Sequence, residues 1–580
     1  MAKVYVYTRE VREEDYPAGL ARSVHFASEA EGGGKQSWNR DYGILFASGI
    51  ITDKNTICPM GVKDPVIFMT GDGEICICAV RVLENGEDDE LTGGKMVLWR
   101  TRDLIDFGEE EIVGCDDITK LASGVSKPDA ASILLNALGI SDDKSGSEDT
   151  GDAADAQTRQ ADCVLSDHIE VSDDVVSAAL TYWSKITCIG VTVPTDITVT
   201  SVDDIDKVNA LISYSDGSSR EKKVTWDTSS VTAPGEYEIT GHITQQKFRF
   251  PLADGYGDPV IFRWDDKWYY ISTNDNLDDV GFYVREADTV HGLFEEGIEA
   301  HCILDFDPSR NLEKTFWAPE FHVIGGELYI LFAVSGHQWG PQCHLMKFRK
   351  GGHITDPASW EDPIRVVRAD GTPLTSDGIT LDMTYIRNNK GSYVIWSYRK
   401  NIMNPLDTGS MLYVASIDEK EPWRLTGEPV LLTRPLYGWE NVSGTINNEG
   451  PYGFVKDGTV YVTYSGGSAN AYTYVLGLLT ADADADLTEL SSWKKSLTPV
   501  LTFRSVEGEY GPGHNSFYTN EEGEMMIAYH GETDIKSRLR CDGIRRVHFR
   551  ADGSPYFQMA ASDDVPDMDV RMKVHLEQRD

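Results

Sequence analysis

Hydrophobic and polar positions alternate in short runs along most of the chain, and one pattern recurs five times in its second half. Each copy has a short apolar stretch, a turn rich in Asp, Gly or Asn, and then an aromatic-rich stretch. The five anchors are Asp258, Glu320, Asp382, Glu449 and Asn515, spaced by 62, 62, 67 and 66 residues. Repeats of this kind are typical of propeller blades. The pattern therefore predicts an all-β chain with a five-bladed β-propeller over residues 250–580.

The residues before the repeats predict two more β-rich modules. Residues 188–247 hold short alternating strands with Ser-Asp-Gly and Gly-Glu-Tyr turns, typical of an immunoglobulin-like β-sandwich. Residues 1–125 predict a β-rich accessory module, in which the stretch from Lys63 (KDPVIFMTGDGEICICAVRV) resembles the blade pattern a sixth time. Between them, residues 126–187 are predicted to be an acidic linker with a short helix at 173–184, because residues 141–175 are rich in Asp, Ser, Gly and Ala.

Composition excludes several classes of function. The chain has 94 Asp and Glu against 53 Lys and Arg, a formal net charge of −41. Such a surface repels phosphate backbones and anionic lipids, so we expect neither nucleic-acid nor membrane partners. No apolar run is long enough to span a bilayer, and the first ten residues lack a signal-peptide stretch. These features predict a cytoplasmic location, or secretion if a leader has been removed.

Four of the five anchors are carboxylic acids, and three of them, Asp258, Asp382 and Glu449, are the candidates for catalysis. The innermost strands of a propeller line one central channel, so these three side chains are expected to converge. Converging, partly buried carboxylates have separated pKa values, so that one stays protonated while another is ionised. Glycoside hydrolysis requires such a pair. The alternative is that each acid only closes its turn.

The repeat region resembles glycoside hydrolase family 43, five-bladed propeller enzymes that act on arabinose- and xylose-containing glycans. The motifs that carry the resemblance are YGDPVIFRWDDKWYYISTND, FWAPEFHVIGGELYI, TLDMTYI, NNEGPYGFVKDGTVYVTYS and YGPGHNSF. The resemblance implies that Asp258 is the general base, Glu449 the general acid, and Asp382 the acid that orients Glu449 and tunes its pKa. It also implies inversion, for which the two catalytic carboxyl groups lie roughly 6.5–9.5 Å apart.

The resemblance further implies that His514, in Gly-Pro-Gly-His-Asn, approaches a calcium ion at the channel centre. The other reading is a neutral histidine that bonds Asp258 or water, since calcium prefers oxygen ligands. No motif for an organic cofactor occurs. Five residues are predicted to bind sugar or, alternatively, to belong to the core or close a turn. They are Trp317, Glu320, Trp339, Tyr385 and Trp439.

Within the family, the chain resembles most the exo-acting α-L-arabinofuranosidase branch. The resemblance implies an inverting general acid/base hydrolysis of terminal α-L-arabinofuranosyl groups from arabino-oligosaccharides. The partners that it implies are arabinose- or xylose-containing oligosaccharides. Two alternatives stay open: a β-xylosidase or galactofuranosidase on the same scaffold, and a non-catalytic propeller that binds glycans.

Overall fold

The computed structural model describes residues 1–30, 34–89, 95–114, 117 and 163–577. Within its described residues, the first module holds two four-stranded sheets, in the orders β10-β1-β2-β3 and β6-β7-β8-β9, and the two α-helices given below. Its elements are β1 (Ala2–Arg9), α1 (Ala18–Ala21), β2 (His25–Glu29), β3 (Lys35–Ser37), β4 (Ile50–Ile51), β5 (Ile57–Cys58), β6 (Met60–Met69), β7 (Ile75–Leu83), β8 (Met96–Thr101), β9 (Glu111–Val113), β10 (Cys163–Val171) and α2 (Asp173–Trp183). One apolar core joins the two sheets, with Val4, Phe26, Ile67, Ile77 and Trp99 buried in it.

The structure corrects the predicted linker. Residues 163–183 belong to the first module, because β10 pairs along the whole of β1 and Val176 and Ala179 of α2 enter the same core. The helix itself was predicted correctly. The rest of the predicted linker, apart from the part after α2, lies outside the described residues.

The sixth copy of the blade pattern is a blade-like sheet. Strands β6 to β9 form a four-stranded antiparallel meander. A bulge interrupts the β6–β7 ladder between Lys63 and Val66, and Asp64 there has φ +49°. This sheet packs on its own module's core and is not a member of the propeller ring.

The second module is the predicted immunoglobulin-like sandwich. Its strands are β11 (Cys188–Thr192), β12 (Asp196–Val199), β13 (Ala210–Tyr214), β14 (Ser219–Lys222), β15 (Thr225–Trp226) and β16 (Gly235–Ile243). One sheet has the order β11-β13-β14. Side chains from both sheets alternate into a shared core that includes Ile212, Trp226 and Ile239.

The propeller follows as five antiparallel sheets in chain order. Its strands are β17 (Tyr256–Trp264), β18 (Lys267–Asn274), β19 (Phe282–Ala287), β20 (Ala300–Leu304), β21 (Lys314–Ile324), β22 (Glu327–Gly336), β23 (Trp339–Lys347), β24 (Ile364–Arg365), β25 (Ile379–Arg387), β26 (Ser392–Arg399), β27 (Met411–Ile417), β28 (Val430–Thr433), β29 (Asn448–Lys456), β30 (Thr459–Gly466), β31 (Val475–Asp482), β32 (Trp493–Lys495), β33 (Tyr510–Thr519), β34 (Met525–Glu532) and β35 (Cys541–Arg546). Four sheets have four strands and the fifth has three. The first strands of neighbouring sheets contact one another, and β33 contacts β17, so the ring of five blades is closed.

Short 3-10 helices and one hairpin occupy the connections. The 3-10 helices are Asn39–Asp41, Val202–Lys207, Asp275–Leu277, His291–Phe294, Pro308–Arg310, Pro357–Ser359, Gly438–Glu440, Val442–Gly444 and Leu490–Ser492. The hairpin pairs β36 (His548–Phe549) with β37 (Pro555–Tyr556). Within the described part of the chain, no helix combines the length and apolarity needed to cross a bilayer.

The inner strand of every blade carries a bulge at the same place. In each, the pairing with the second strand shifts register, and the residue at the shared bulge position takes a left-handed conformation. These residues are Asp258, Ala318, Asp382, Gly450 and Gly511, with φ between +46° and +58°. Left-handed backbone is strained for residues other than glycine, and such strain concentrates at functional sites. The bulge therefore places equivalent residues of five blades at one level of the channel.

The last strand corrects the predicted end of the propeller. Strand β38 (Met568–Leu576) does not join a blade: it pairs with β12 and β16 of the sandwich, in the order β12-β38-β16-β15. Its alternating Val570, Met572 and Val574 are buried in the sandwich core. The chain thus leaves the sandwich, builds the propeller and returns to complete the sandwich.

We expect Met572→Ala to destabilise the sandwich by about 2–5 kcal/mol, because Met572 is buried and its truncation leaves a cavity. Lys573, its exposed neighbour on β38, is the matched control, and Lys573→Ala should change the unfolding free energy by less than about 0.5 kcal/mol. Chemical denaturation of both variants measures the difference. Equal stability of the two variants would show that β38 is not part of the sandwich.

Candidate active site

Asp258 lies at the bulge of β17 in a nest of polar side chains. Its Oδ2 accepts a 2.6 Å hydrogen bond from Thr273, and Arg540 donates to its Oδ1 at 3.3 Å. Nδ1 of His514 lies 3.2 Å from the same oxygen, and the backbone N–H of Asp258 donates to Nδ1 of His530 at 3.2 Å. Burial raises the pKa of Asp258, but Arg540 and His514 outweigh it and hold the pKa well below its usual range. Asp258 is therefore ionised at neutral pH.

Glu449 and Asp382 form a pair whose pKa values are raised, in contrast to that of Asp258. Tyr474 donates a 3.0 Å hydrogen bond to Glu449 Oε1. The backbone N–H of Gly450, the residue after Glu449, donates a hydrogen bond of 3.0 Å to Asp382 Oδ2. This bond links Asp382 to the strand that carries Glu449. Burial raises the pKa of Asp382 to about 8, with His514 opposing and the charges of Glu449 and Asp258 adding to the rise. Burial also raises the pKa of Glu449, against the hydrogen bond from Tyr474. The pair therefore retains a proton that Asp258 has lost.

Close backbone approaches hold the cluster together. A Cβ at Gly450, where φ is +56°, would lie 2.7 Å from the His514 ring. A Cβ at Gly513 would lie 2.2 Å from the Tyr474 ring. Both glycines thus let a ring that contacts a carboxylate of the cluster lie against the neighbouring strand.

Glu320, on the second blade, belongs to the same cluster. It is buried, and its Oε2 lies 2.6 Å from Nε2 of His322. Its Oε1 lies 3.9 Å from Nε2 of His514, so that His514 lies between two carboxylates of different blades. The sequence anchor at 320 therefore reaches the channel, as Asp258, Asp382 and Glu449 do.

These residues do not form a protein-made calcium cage. Among the described residues, no group of three or more His, Cys, Asp or Glu side chains is arranged to hold a metal ion. Both ring nitrogens of His514 face carboxylate oxygens, whereas Ca²⁺ takes six to eight oxygen ligands. Calcium contact at His514 stays a prediction, and the mechanism below uses no metal.

Two of the predicted sugar-binding tryptophans lie at the channel mouth. Trp317 is half-buried and donates 2.8 Å to Asp279 Oδ2. The next residue, Ala318, donates its N–H to Thr273, the residue that donates to Asp258. Trp339 is half-buried at the start of β23, and its indole N–H has no partner. Sugar binding by these two rings stays a prediction.

The structure does not bring the other two predicted aromatic residues to the site. The Tyr385 hydroxyl lies 3.0 Å from both Ser392 and Glu419, beyond the end of β25 that is remote from the carboxylates. Trp439 is fully buried in the core of the fourth blade, where its indole N–H donates 3.0 Å to Leu497 O. Both predictions are wrong, because aromatic character near a motif does not distinguish a core ring from a sugar platform.

Sequence reasoning missed Thr273, Tyr474, His530 and Arg540. All four contact Asp258 or Glu449, but they come from second strands or from connections rather than from the repeat anchors. The available signal was polarity within apolar strands, as in AYHGE around His530. Polarity alone does not show whether such a side chain points into the central channel or between two blades.

Several buried polar atoms around the cluster have no hydrogen-bond partner within the protein. They are Asn274 Oδ1, Asp279 Oδ1, Glu320 Oε1 and His530 Nε2. Buried polar atoms are nearly always hydrogen-bonded in native proteins, to protein, water or a ligand. Hydroxyl-rich molecules such as sugars supply the donors and acceptors that these atoms need.

The closed ring of blades, the bulged inner strands and the buried acid cluster define a class of β-propeller proteins. In this class the central channel holds carboxylic acids whose pKa values are shifted in opposite directions. The sequence profile of glycosyl hydrolases family 43 matches residues 249–555, more than half of the chain. The chain belongs to glycosyl hydrolases family 43. A second profile, that of a bacterial Ig-like domain (group 4), matches residues 206–246, within the sandwich.

Several known proteins are similar to this chain. An extracellular exo-α-(1→5)-L-arabinofuranosidase of Streptomyces avermitilis is 32% identical over 346 residues, which cover 58% of this chain and 66% of the relative. An extracellular exo-α-(1→5)-L-arabinofuranosidase of Streptomyces chartreusis is 31% identical over 282 residues, which cover 48% of this chain and 81% of the relative. A crystal structure of an α-L-arabinofuranosidase from Lactobacillus brevis shares 29% identity, covers 53% of this chain and 95% of that one, and has a TM-score of 0.46. The chain thus spans just under two thirds of the first of these relatives.

Proposed function

We propose that the protein hydrolyses terminal α-L-arabinofuranosyl groups from oligosaccharides and inverts the anomeric configuration. The observation that carries this proposal is the contrast between two sets of contacts inside one buried cluster: Asp258 contacts Arg540 and His514, whereas Glu449 and Asp382 contact Tyr474 and the backbone of Gly450. In keeping with these contacts, the pKa of Asp258 is lowered, whereas burial raises the pKa values of Glu449 and Asp382, so that the pair retains a proton. An inverting glycosidase needs one group of each kind.

In the proposed reaction, Asp258 removes a proton from a water molecule as the water oxygen attacks the anomeric carbon. Glu449 donates its proton to the glycosidic oxygen as the bond from that oxygen to the anomeric carbon breaks. Asp382 orients Glu449 through Gly450 and raises its proton affinity. The cluster's negative charge favours the oxocarbenium-like transition state.

Terminal arabinofuranose is the proposed sugar because both Streptomyces relatives are named as exo-acting arabinofuranosidases. These relatives are also named as extracellular, so they give no support to the cytoplasmic location predicted from the sequence. Their names favour action outside the cell, which fractionation of the native host tests.

A panel of 4-nitrophenyl glycosides tests the proposed sugar. We expect the α-L-arabinofuranoside to be cleaved with a kcat/KM at least about tenfold above those of the β-D-xyloside and β-D-galactofuranoside, because one misplaced ring substituent costs about 1.4 kcal/mol or more. A higher kcat/KM for the xyloside or the galactofuranoside would show that the same carboxylates act on that sugar instead. No cleavage of any member, with glycans still bound, would favour a non-catalytic propeller.

A further inference from the structure

The N-terminal module reaches the end of the propeller at which the catalytic carboxylates lie. Its residues 10–16, called here the rim segment, turn back on themselves through reciprocal backbone hydrogen bonds between Arg12 and Tyr16 of 2.8 and 2.7 Å. Between these two residues, Glu13, Glu14 and Asp15 are exposed. The rim segment is thus a short turn that presents three acidic residues.

Three connections of the propeller contact this turn. Tyr472 donates a hydrogen bond to the backbone carbonyl of Glu13, and Arg504 donates one of 3.2 Å to that of Asp15. Lys536 forms an ion pair of 3.1 Å with the side chain of Glu14.

All three connections lie at the mouth of the channel. Residues 467–474 join β30 to β31, residues 496–509 join β32 to β33, and residues 533–540 join β34 to β35. Each connection therefore borders the end of the propeller at which the inner strands begin. Asp258 lies within the first three residues of its inner strand, β17, and Glu449 within the first three of β29. The rim segment consequently lies over the side of the mouth formed by the fourth and fifth blades.

Buried contacts fix the rim segment in this place. The guanidinium of Arg504 lies 4.5 Å from the centre of the Tyr16 ring, and the Tyr16 hydroxyl donates 2.7 Å to Asp41 of its own module. A little further along, the backbones of Gly19 and Gly438 touch: a Cβ on Gly19 would lie 2.5 Å from Gly438 O. The turn is therefore anchored on both sides of the module interface.

The same side of the mouth carries the general acid. Tyr474, which donates to Glu449, lies two residues after Tyr472 on one connection. In glycoside hydrolysis the general acid protonates the departing oxygen, so the leaving part of the substrate lies on the side of that acid. Sugars attached beyond the departing oxygen would pass Tyr474 and then meet the rim segment.

We propose that the rim segment forms a wall of the subsite that receives the leaving-group sugars, beyond the first unit. Its ligand is a neutral oligosaccharide, since the exposed carboxylate of Glu13 disfavours uronic acids by charge repulsion. The inference rests on the proposed hydrolysis and deepens it. The family profile begins only at residue 249, so this wall is contributed by a module that lies outside the match.

The test compares a short and a long substrate in the full chain. Glu13→Trp places a bulky ring in the proposed path. We expect kcat/KM for α-1,5-linked arabinotriose to fall at least about tenfold, the effect of roughly 1.4 kcal/mol of lost binding. The value for 4-nitrophenyl α-L-arabinofuranoside, which has no second leaving unit, should stay within about twofold and also reports correct folding.

Glu170→Trp is the matched control, because Glu170 is also exposed on the N-terminal module but lies on β10. Glu170→Trp should leave kcat/KM unchanged for both substrates. A second variant, with Arg12–Asp15 replaced by Gly-Asn, should raise KM for arabinotriose while the aryl substrate is unaffected. Equal losses on both substrates, or no loss on arabinotriose, would overturn the proposal. Absence of any hydrolysis by the unmodified protein would instead reject the proposed function.

Discussion

Glu449→Gln is expected to lower kcat on an arabino-oligosaccharide by about 10²- to 10⁴-fold, the range for removal of a general acid. Glutamine keeps the size of the side chain and its contact with Tyr474 but has no proton to donate to the departing oxygen. The loss should be much smaller on 4-nitrophenyl α-L-arabinofuranoside, because nitrophenolate leaves with little protonation. Steady-state kinetics on the two substrates measures this difference.

Asp258→Asn should instead lower kcat by a similar factor on both substrates, since activation of the water is needed whatever the leaving group. Glu419→Gln is the control: Glu419 is a carboxylate of the same propeller that bonds Ser392 and Tyr385 away from the cluster. It should leave both rates unchanged. A Glu449→Gln variant with equal losses on the two substrates would contradict the assignment of Glu449 as the acid.

Asp382→Asn is expected to lower kcat by roughly 10²-fold, since it weakens the positioning of Glu449 through Gly450. It should also move the alkaline limb of the pH profile to lower pH. The raised pKa of the pair means that the proton is present below that pKa and is lost as the pH rises through it. The last proton of the pair is lost only at raised pH because its loss places two negative charges side by side. With Asn at position 382 the second charge is absent, so Glu449 loses its proton, and the active form is lost, at a lower pH.

The acidic limb gives an internal control. It reports Asp258, whose pKa is held well below its usual range mainly by Arg540 and His514. That limb should lie at low pH in both the unmodified protein and Asp382→Asn. The profile of kcat/KM against pH measures both limbs. An alkaline limb that stays in place or moves upward in Asp382→Asn would show that Asp382 does not raise the proton affinity of Glu449.

Residue spacing was sufficient to predict the propeller and its acidic anchors. Asp258, Asp382 and Glu449 occupy repeat positions, and the repeat places such positions on inner strands that share one channel. Local alternation also predicted the sandwich. These features depend on short-range patterns that a single sequence displays directly.

Long-range pairing could not be predicted in the same way. Strand β38 alternates as a propeller strand would, and only its partners β12 and β16 show that it belongs to the sandwich. Trp317 and Trp439 look alike in sequence, yet one is half-buried at the mouth and the other is in the core. Arg540 and His530 reach Asp258 from the neighbouring fifth blade, more than 270 residues further along the chain, and no local pattern encodes that approach.

The most direct test of the division of labour between Asp258 and Glu449 is the configuration of the first sugar released. Proton NMR of the anomeric signal, recorded within the first turnovers and before mutarotation, distinguishes the two products. Attack by a water that Asp258 deprotonates predicts β-L-arabinofuranose from an α-linked substrate. Initial release of α-L-arabinofuranose would mean that a carboxylate attacks carbon directly, and would contradict the account.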